Sequence, residues 1–484
     1  MNKQIRKLFI LVLVMFTLLG LGLTNTQFIQ APSLNADSRN ERTILHAAET
    51  DRGPIIVEGT AIASSTKIEG SQRYQRSYSA GPLYATVTGY FSSAVWQSTG
   101  LEAAAETTLD GESQALIGQR LRNIFTGKNR QGGGIFLTLD PALQQVAAQQ
   151  LGNRKGAVVA LDAKTGAVLA MYSSPSYDPN SLAVFDTNAV NESYKALLAD
   201  PNEPLTNRAI AGNRYAPGST FKILTTIAML EQGVATPDTE LESPVSTMLP
   251  GTETTVSNIE SSECGDGTPT LTEAFAQSCN TTFVLASQKL SHENLADVAT
   301  RFGFGKSLQI PLKVTESVFP DQTDPAQLAM SSIGQYTVQV TPLQMAQVAQ
   351  AIANDGTMMT PYLIDEVVDA DLQVQSTTSP AKLGEPVSAE VANQITEMMK
   401  AVVSQPYGTG ASMALDGVAV AAKTGTAETG VDGRANAWAV GFAPADDPTI
   451  AFAVIVEGDE SDPTPHGGST AGPIARALLE ASLW

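Results

Sequence analysis

The sequence predicts an α+β fold: an antiparallel sheet covered by helices, carried on a smaller strand-rich N-terminal part. Three features point there. Strand-like runs at 156–161 and 168–171 come early, joined by the turn-forming Lys164-Thr165-Gly166. Helical stretches such as 223–230 and 345–354 fill the middle, and strand-like runs return between 418 and 456. Helices set between early and late strands of one sheet mark this class. With 484 residues, 43% of them hydrophobic, the chain can bury a large core and has the length of two or three domains.

At the N-terminus, residues 1–7 carry Lys3, Arg6 and Lys7, and an apolar run follows over 8–23. That run is shorter than the ~20 residues a spanning helix wants, and Phe28 and Ile29 extend it. The segment 8–27 is either an uncleaved membrane anchor or a signal peptide. The absence of a small-x-small cleavage pattern directly after Leu23 favours the anchor. Either way the basic flank stays cytoplasmic and the remainder is exported, giving a single-pass protein of the cell membrane with 1–7 as its cytoplasmic tail. Residues 28–131 are polar and mixed, with strand-like runs at 55–57 and 84–90, and read as an extended pedestal domain. Gln131-Gly132-Gly133-Gly134 reads as a hinge into a second domain over 132–484, which opens with a strand at 135–139 and a helix near Pro141. Thr341-Pro342-Leu343-Gln344 has the form of a capping box with proline at the first helical position, a packing feature. Gly472-Pro473 opens a last helix.

Acidic residues outnumber basic ones 49 to 29, which argues against a nucleic-acid partner. Two cysteines and three scattered histidines (His46, His292, His466) do not make a metal site. Cys264 and Cys279 either stay as thiols or close a loop of about 15 residues, worth ~3 kcal/mol in the chain-entropy model. An exported setting favours the bridge.

Candidate chemistry starts at Ser219-Thr220-Phe221-Lys222, which follows Tyr215-Ala216-Pro217-Gly218 and runs into an apolar helix ending near Gly233. Residues three apart share a helical face, so the Ser219 hydroxyl and Lys222 amine can meet. A serine hydroxyl needs a base, and a lysine is one only when burial or a neighbouring cation lowers its pKa. The same turn points free N–H groups at developing charge. Ser278-Cys279-Asn280 follows as a polar turn between two helices, and Lys423-Thr424-Gly425-Thr426 at the end of a buried strand over 418–422, where Gly425 admits a close approach to the strand backbone. Ser64-Ser65-Thr66-Lys67, Ser33-Leu34-Asn35, Ser38-Arg39-Asn40 and Lys164-Thr165-Gly166 repeat the patterns, but all precede Ser219 and lack the context.

Ser-x-x-Lys, Ser-x-Asn and Lys-Thr-Gly in that order resemble the penicillin-binding proteins and serine β-lactamases. Arg52-Gly53-Pro54-Ile55, the 156–180 region, Asn207-Arg208-Ala209 and Ser332-Ile333-Gly334-Gln335 extend the resemblance to nearly everything after the first 40 residues. It is closest to the short class B penicillin-binding proteins of actinobacterial type. The 130 or so residues ahead of the transpeptidase-like part show no glycosyltransferase pattern.

That resemblance implies a transpeptidase-like domain on a pedestal and a membrane-anchored peptidoglycan D,D-transpeptidase. Its substrates would be stem peptides ending in D-Ala-D-Ala, and β-lactams would acylate it covalently. Ser219 would attack the penultimate carbonyl and Lys222 take its proton, with Lys423 helping to depress the Lys222 pKa. Ser278 would relay a proton to the leaving D-alanine. Asn280 would hold Lys222 and the peptide amide. Lys423, Thr424 and Thr426 would hold the terminal carboxylate beside Gly425, with N–H groups of Ser219 and Thr426 as the oxyanion hole. No metal or organic cofactor is implied. Division or elongation proteins are expected partners of the pedestal. Glu203 and Asn207 mimic a deacylation element but lie before Ser219, and read as structural. Two other readings stand beside this one: a D,D-carboxypeptidase that transfers the acyl group to water, and a β-lactam receptor or cell-wall scaffold.

Overall fold

The computed structural model describes residues 2–26, 30, 48–119, 131–212, 214–258, 262–321 and 323–484. His46, the two early Ser-x-Asn copies, and Phe28 and Ile29 of the apolar extension lie outside the described residues, as do 31–47 and 120–130 of the expected pedestal. Helix α1 (Asn2–Thr24) has 23 residues, all those described exposed. At 1.5 Å per residue it is about 35 Å long, enough to cross a ~30 Å hydrocarbon core. It is apolar enough to do so, and fits a single-pass anchor.

The further helices that shape the molecule are α2 (Gly81–Thr88), α3 (Pro141–Leu151), α4 (Lys222–Glu231), α5 (Leu271–Ala276), α6 (Asn280–Ser287), α7 (Pro342–Ala353) and α8 (Gly472–Leu483). The principal strands are β1 (Ile55–Val57), β2 (Thr60–Lys67), β3 (Tyr74–Tyr78), β4 (Gly134–Leu137), β5 (Gly156–Asp162), β6 (Val168–Ser174), β7 (Ile364–Val368), β8 (Val374–Thr377), β9 (Ala421–Glu428), β10 (Ala435–Ala443) and β11 (Ile450–Glu457).

The larger unit is built on the five-stranded sheet β9-β10-β11-β5-β6, antiparallel at every pairing. Side chains alternate across it. On β11, Ala451, Ala453 and Ile455 enter one core, while Phe452, Val454 and Val456 enter a second on the opposite face. Helix α7, with all twelve residues buried, packs on the first face, and α3 and α8 pack together on the second. A sheet covered on both faces reads as a continuous apolar run, which is why 450–456 shows no polar alternation.

The second sheet has the order β8-β7-β4-β1-β2-β3. Only the β1–β4 pairing is parallel, with Ile55 opposite Ile135. Its edge pair β7–β8 comes from beyond α7, so the sheet joins strands from three separate parts of the chain. The glycine run at its start is a packed crossing, not a hinge. A Cβ on Gly132 would lie 1.8 Å from the Leu109 carbonyl oxygen, and one on Gly53 would lie 1.9 Å from that of Gly133. Gly132 N–H donates to the Asp51 carbonyl (2.8 Å) and Gly133 N–H to that of Thr108 (2.9 Å).

Beside this crossing, Glu102 is fully buried between two arginines. It accepts from Arg52 Nε (2.6 Å), Arg76 Nε (2.7 Å) and the Tyr78 hydroxyl (3.1 Å). Burial alone would raise its pKa; Arg76 and Arg52 outweigh that, and the pKa is lowered. The guanidinium of Arg52 also lies 4.5 Å from the centre of the Phe91 ring.

Three further expectations need correction. Residues 81–88 form helix α2, not a strand. Pro82 sits in its first turn and Gly89, at φ 65°, closes it. Burial of Tyr84, Ala85, Val87 and Thr88 overrides the strand preference of the run. The capping box at Thr341 is half formed: Thr341 accepts from Gln344 N (3.2 Å), but the Gln344 side chain turns away to the Phe302 carbonyl (2.8 Å). The strand expected at 418–422 starts at Ala421, so Lys423 to Thr426 lie inside β9.

Glu102→Gln should destabilise the protein by about 3–5 kcal/mol in denaturant titrations, because it strands two buried guanidinium groups. The folded pKa of Glu102 lies below its ordinary value of 4.5. Its contribution is therefore complete above pH 4.5 and is lost as the pH falls through the folded value. The unmutated protein should show that acid loss in melts, and Glu102→Gln should not.

Candidate active site

Residues 215–222 form a tightly seated turn. Gly218–Phe221 is a single 3₁₀ turn that runs straight into α4, with Gly218 at φ 54°. Three glycines let it pack. A Cβ on Gly218 would lie 2.7 Å from the Thr426 carbonyl oxygen, and one on Gly334 would lie 2.1 Å from that of Gly218. A Cβ on Gly425 would reach 3.0 Å from the Pro217 carbonyl oxygen. The close approach Gly425 permits is thus to the serine turn itself. Gly218 N–H donates to the Gly334 carbonyl (2.9 Å) and the Thr225 hydroxyl to that of Ser332 (2.7 Å), so 332–334 braces the turn from behind. On the sheet side, Trp438 Nε1 donates to the Ala216 carbonyl (3.1 Å). Tyr215 packs edge-on against the Trp438 ring and donates to Glu457 (2.7 Å), which also accepts from Arg208 Nε (2.8 Å).

Ser278 sits where α5 ends. Its N–H donates to the Phe275 carbonyl (3.1 Å) and that of Cys279 to the Ala274 carbonyl (2.9 Å). This is a Schellman closure, whose left-handed position is usually glycine. Ser278 occupies it at φ 62°, at a cost of ~1–2 kcal/mol for a residue with a Cβ. Glycine would remove the strain and the hydroxyl with it. Cys279 is bonded to Cys264, which ties the turn to the 262–269 loop.

Both lysines are fully buried and converge on this turn. Lys222 Nζ donates to the Ser278 carbonyl (2.8 Å) and to Asn280 Oδ1 (2.8 Å), and lies 3.4 Å from Ser278 Oγ. Lys423 Nζ lies 2.9 Å from Ser278 Oγ and 3.1 Å from the Thr424 carbonyl oxygen. Neither has a carboxylate partner among the described residues. Burial first, then the Lys423 charge, holds the Lys222 pKa well below the usual amine range. Burial brings Lys423 down to about 7. An amine neutral near neutral pH can accept a proton, which a solvated lysine cannot.

Ser219, Ser278, Asn280, Thr424, Gly425 and Thr426 line one cavity of about 830 Å³, and the two amines lie behind it. All eight residues expected from the sequence are thus gathered in one place. Sequence reasoning missed Thr409, Gln335 and His466, which also line the cavity. The Thr409 hydroxyl lies 2.6 Å from that of Thr424. Nothing in its local sequence marks it; only the fold brings 404–410 beside β9. Lys164-Thr165-Gly166 forms the β5–β6 turn, and Ser64 to Lys67 lie on β2. Glu203 and Asn207 do not line the cavity, and Asn207 donates to the Thr86 carbonyl (2.8 Å).

The model of the penicillin-binding protein transpeptidase domain matches residues 156–480. The chain belongs to that family. A second model, the penicillin-binding protein A dimerisation domain, matches 52–135. The chain is 43% identical to the peptidoglycan D,D-transpeptidase PbpA of Mycolicibacterium smegmatis, over all of this chain and 99% of that one. It is 41% identical to PbpA of Mycobacterium tuberculosis H37Rv with the same coverage. Among solved structures it resembles penicillin-binding protein A of M. tuberculosis as a ceftriaxone acyl-enzyme, with TM-score 0.85 and 40% identity over 91% of this chain and 100% of that one. Pseudomonas aeruginosa PBP2 in complex with WCK 5153 matches at TM-score 0.73 and 28% identity, over 90% of this chain and 96% of that one. As expected, this is a class B type of penicillin-binding protein, with the family's helix-covered sheet.

Between the folded value of about 7 for Lys423 and its ordinary 10.5, the unfolded chain binds more protons than the folded one. Stability should therefore climb as pH rises through that window. Lys423→Met should flatten the climb by a few kcal/mol, read from denaturant titrations between pH 7 and 10.

Proposed function

We propose that this protein is a peptidoglycan D,D-transpeptidase working through a Ser219 acyl-enzyme, and that β-lactams acylate the same serine. The observation that carries the reading is the convergence of two depressed-pKa lysines on Ser278, behind the cavity that Ser219 lines. Lys222 takes the proton as Ser219 attacks the penultimate carbonyl of a D-Ala-D-Ala stem peptide. The N–H groups of Ser219 and Thr426 receive the oxyanion, a contribution of ~3 kcal/mol per donor. Ser278, in reach of both amines, passes the proton to the leaving D-alanine. Asn280 holds Lys222 and the peptide amide. Lys423, Thr424 and Thr426 hold the terminal carboxylate, with Gly425 keeping the strand against the serine turn. An acceptor amine from a neighbouring strand then displaces Ser219 and closes the cross-link. Every step is acyl or proton transfer among these residues, so no organic cofactor is called on.

Residues 28–131 serve as the N-terminal pedestal domain and 132–484 as the transpeptidase domain, which lends β4, β7 and β8 to the mixed sheet beside Glu102. The segment 8–27, which holds most of helix α1, anchors the chain, with 1–7 cytoplasmic and the cavity outside the cell, an orientation supported by Lys3, Arg6 and Lys7. The pedestal is the place for contacts with division or elongation proteins.

Incubated with a fluorescent penicillin, the full-length protein should give a long-lived covalent adduct by intact mass, and Ser219→Ala none. Turnover of the drug without an adduct would mean a hydrolase. An acceptor amine should yield cross-linked dimer; release of D-alanine alone would make it a carboxypeptidase.

The acylation rate should fall as pH drops through the Lys222 pKa, because a protonated amine cannot act as base. Lys423→Gln removes the neighbouring cation, so that acid limb should move to higher pH as well as the rate falling. A limb that stays in place would remove Lys423 from the tuning of Lys222.

A further inference from the structure

Helix α7 carries three buried glutamines at three-residue spacing, Gln344, Gln347 and Gln350, and two are accounted for. Gln344 donates to the Phe302 carbonyl (2.8 Å). Gln350 donates to the Ala163 carbonyl (2.8 Å) and accepts from Met359 N (3.0 Å). Gln347 is only 3% exposed, and its side chain makes no hydrogen bond among the described residues. It lines a cavity of about 130 Å³ that is separate from the one holding Ser219. A buried amide that the fold leaves open to a cavity wants a polar partner there.

The rest of the cavity limits what that partner can be. Phe302, Val314 and Met358 are buried apolar walls, and Leu383, 47% exposed, stands at the rim. These walls suit a compact hydrocarbon body, not a hydrated inorganic ion. A water needs ~10–15 Å³, so there is room for a ligand of roughly ten heavy atoms. Two cations border the cavity. Arg301 is already engaged by Glu231 and Asp297. Lys306 is exposed and pairs with no carboxylate among the described residues. An amide donor within, a cation at the edge and apolar walls together match an amphipathic carboxylate.

We propose that this cavity is a binding site for a small monocarboxylate with a compact apolar body, its carboxylate accepting from Gln347 and facing Lys306. The site backs onto the serine turn. Ser317, in the cavity wall, accepts from Thr341 N (3.3 Å). The adjoining Val340 exchanges two backbone hydrogen bonds with Tyr215 (2.8 and 2.9 Å), four residues ahead of Ser219.

Benzoate is a suitable probe, titrated by saturation-transfer NMR against the full-length protein in nanodiscs. Saturable binding is expected, at least tenfold weaker in Gln347→Leu and several-fold weaker in Lys306→Ala. Gln347→Leu replaces an unpartnered amide with an apolar group of similar size, so it should melt at the same temperature or higher and still be labelled by fluorescent penicillin. That separates loss of the site from loss of the fold. The proposal is overturned if benzoate does not bind, if it binds Gln347→Leu as tightly as the unmutated protein, or if crystals soaked in benzoate hold only ordered water at Gln347.

Discussion

Two lysine amines buried within reach of one serine hydroxyl set the terms for the rest of this molecule. Charge on one of Lys222 and Lys423 disfavours charge on the other, and both amines are removed from water. Among the described residues no carboxylate neutralises either. What holds them is a set of neutral acceptors: the carbonyls of Ser278 and Thr424, the amide oxygen of Asn280 and the hydroxyl between them. The faces of Phe283 and Phe275 add weaker support, at 5.2 and 5.5 Å from the respective amines. Burial lowers the pKa of both amines, and the Lys423 charge lowers that of Lys222 further, where a salt bridge would raise them. The arrangement lasts only while the supporting backbone is rigid, since any relaxation would let water in and restore ordinary basicity.

Much of the architecture supplies that rigidity. The serine turn is clamped between β9 and the 332–334 loop through glycines that leave no space for a side chain. Ser278 accepts a left-handed backbone, and the Cys264–Cys279 bond restrains the loop beside it. On the sheet side, Trp438 holds the Ala216 carbonyl, and Tyr215, Glu457 and Arg208 fix the approach to the turn with a polar network. Strain and close packing accumulate where the chemistry is, and the wide apolar faces of the five-stranded sheet carry the stability that offsets them.

The sequence made the site more legible than the scaffold. Ser219, Lys222, Ser278, Asn280 and Lys423 to Thr426 could be read because each sits in a short pattern whose flanks announce a turn, a helix or a strand, and because their order rejects the decoys. Thr409 and His466 carry no such local signature; they reach the cavity through tertiary packing alone. Residues 84–90 have strand propensity, yet 84–88 belong to helix α2, since burial decides. The glycines at 132–134 look like a flexible joint in one dimension, and only the neighbouring carbonyls reveal them as a tight crossing. No local pattern at 364–377 says that these strands pair with β4, because a sheet partner more than 200 residues away leaves no periodicity to read.

That last pairing bears on how such a chain can be divided. β4 is flanked on one side by β1 and on the other by β7, so the second sheet is stitched from both ends of the sequence. Excising the residues before 132 would expose the unpaired edge of β4, an invitation to strand addition from another molecule. A chain trimmed there in search of a minimal enzyme would trade a folded neighbour for a sticky edge. The transpeptidase fold has an N-terminal partner that it completes with its own strands, so neither closes its sheet without the other.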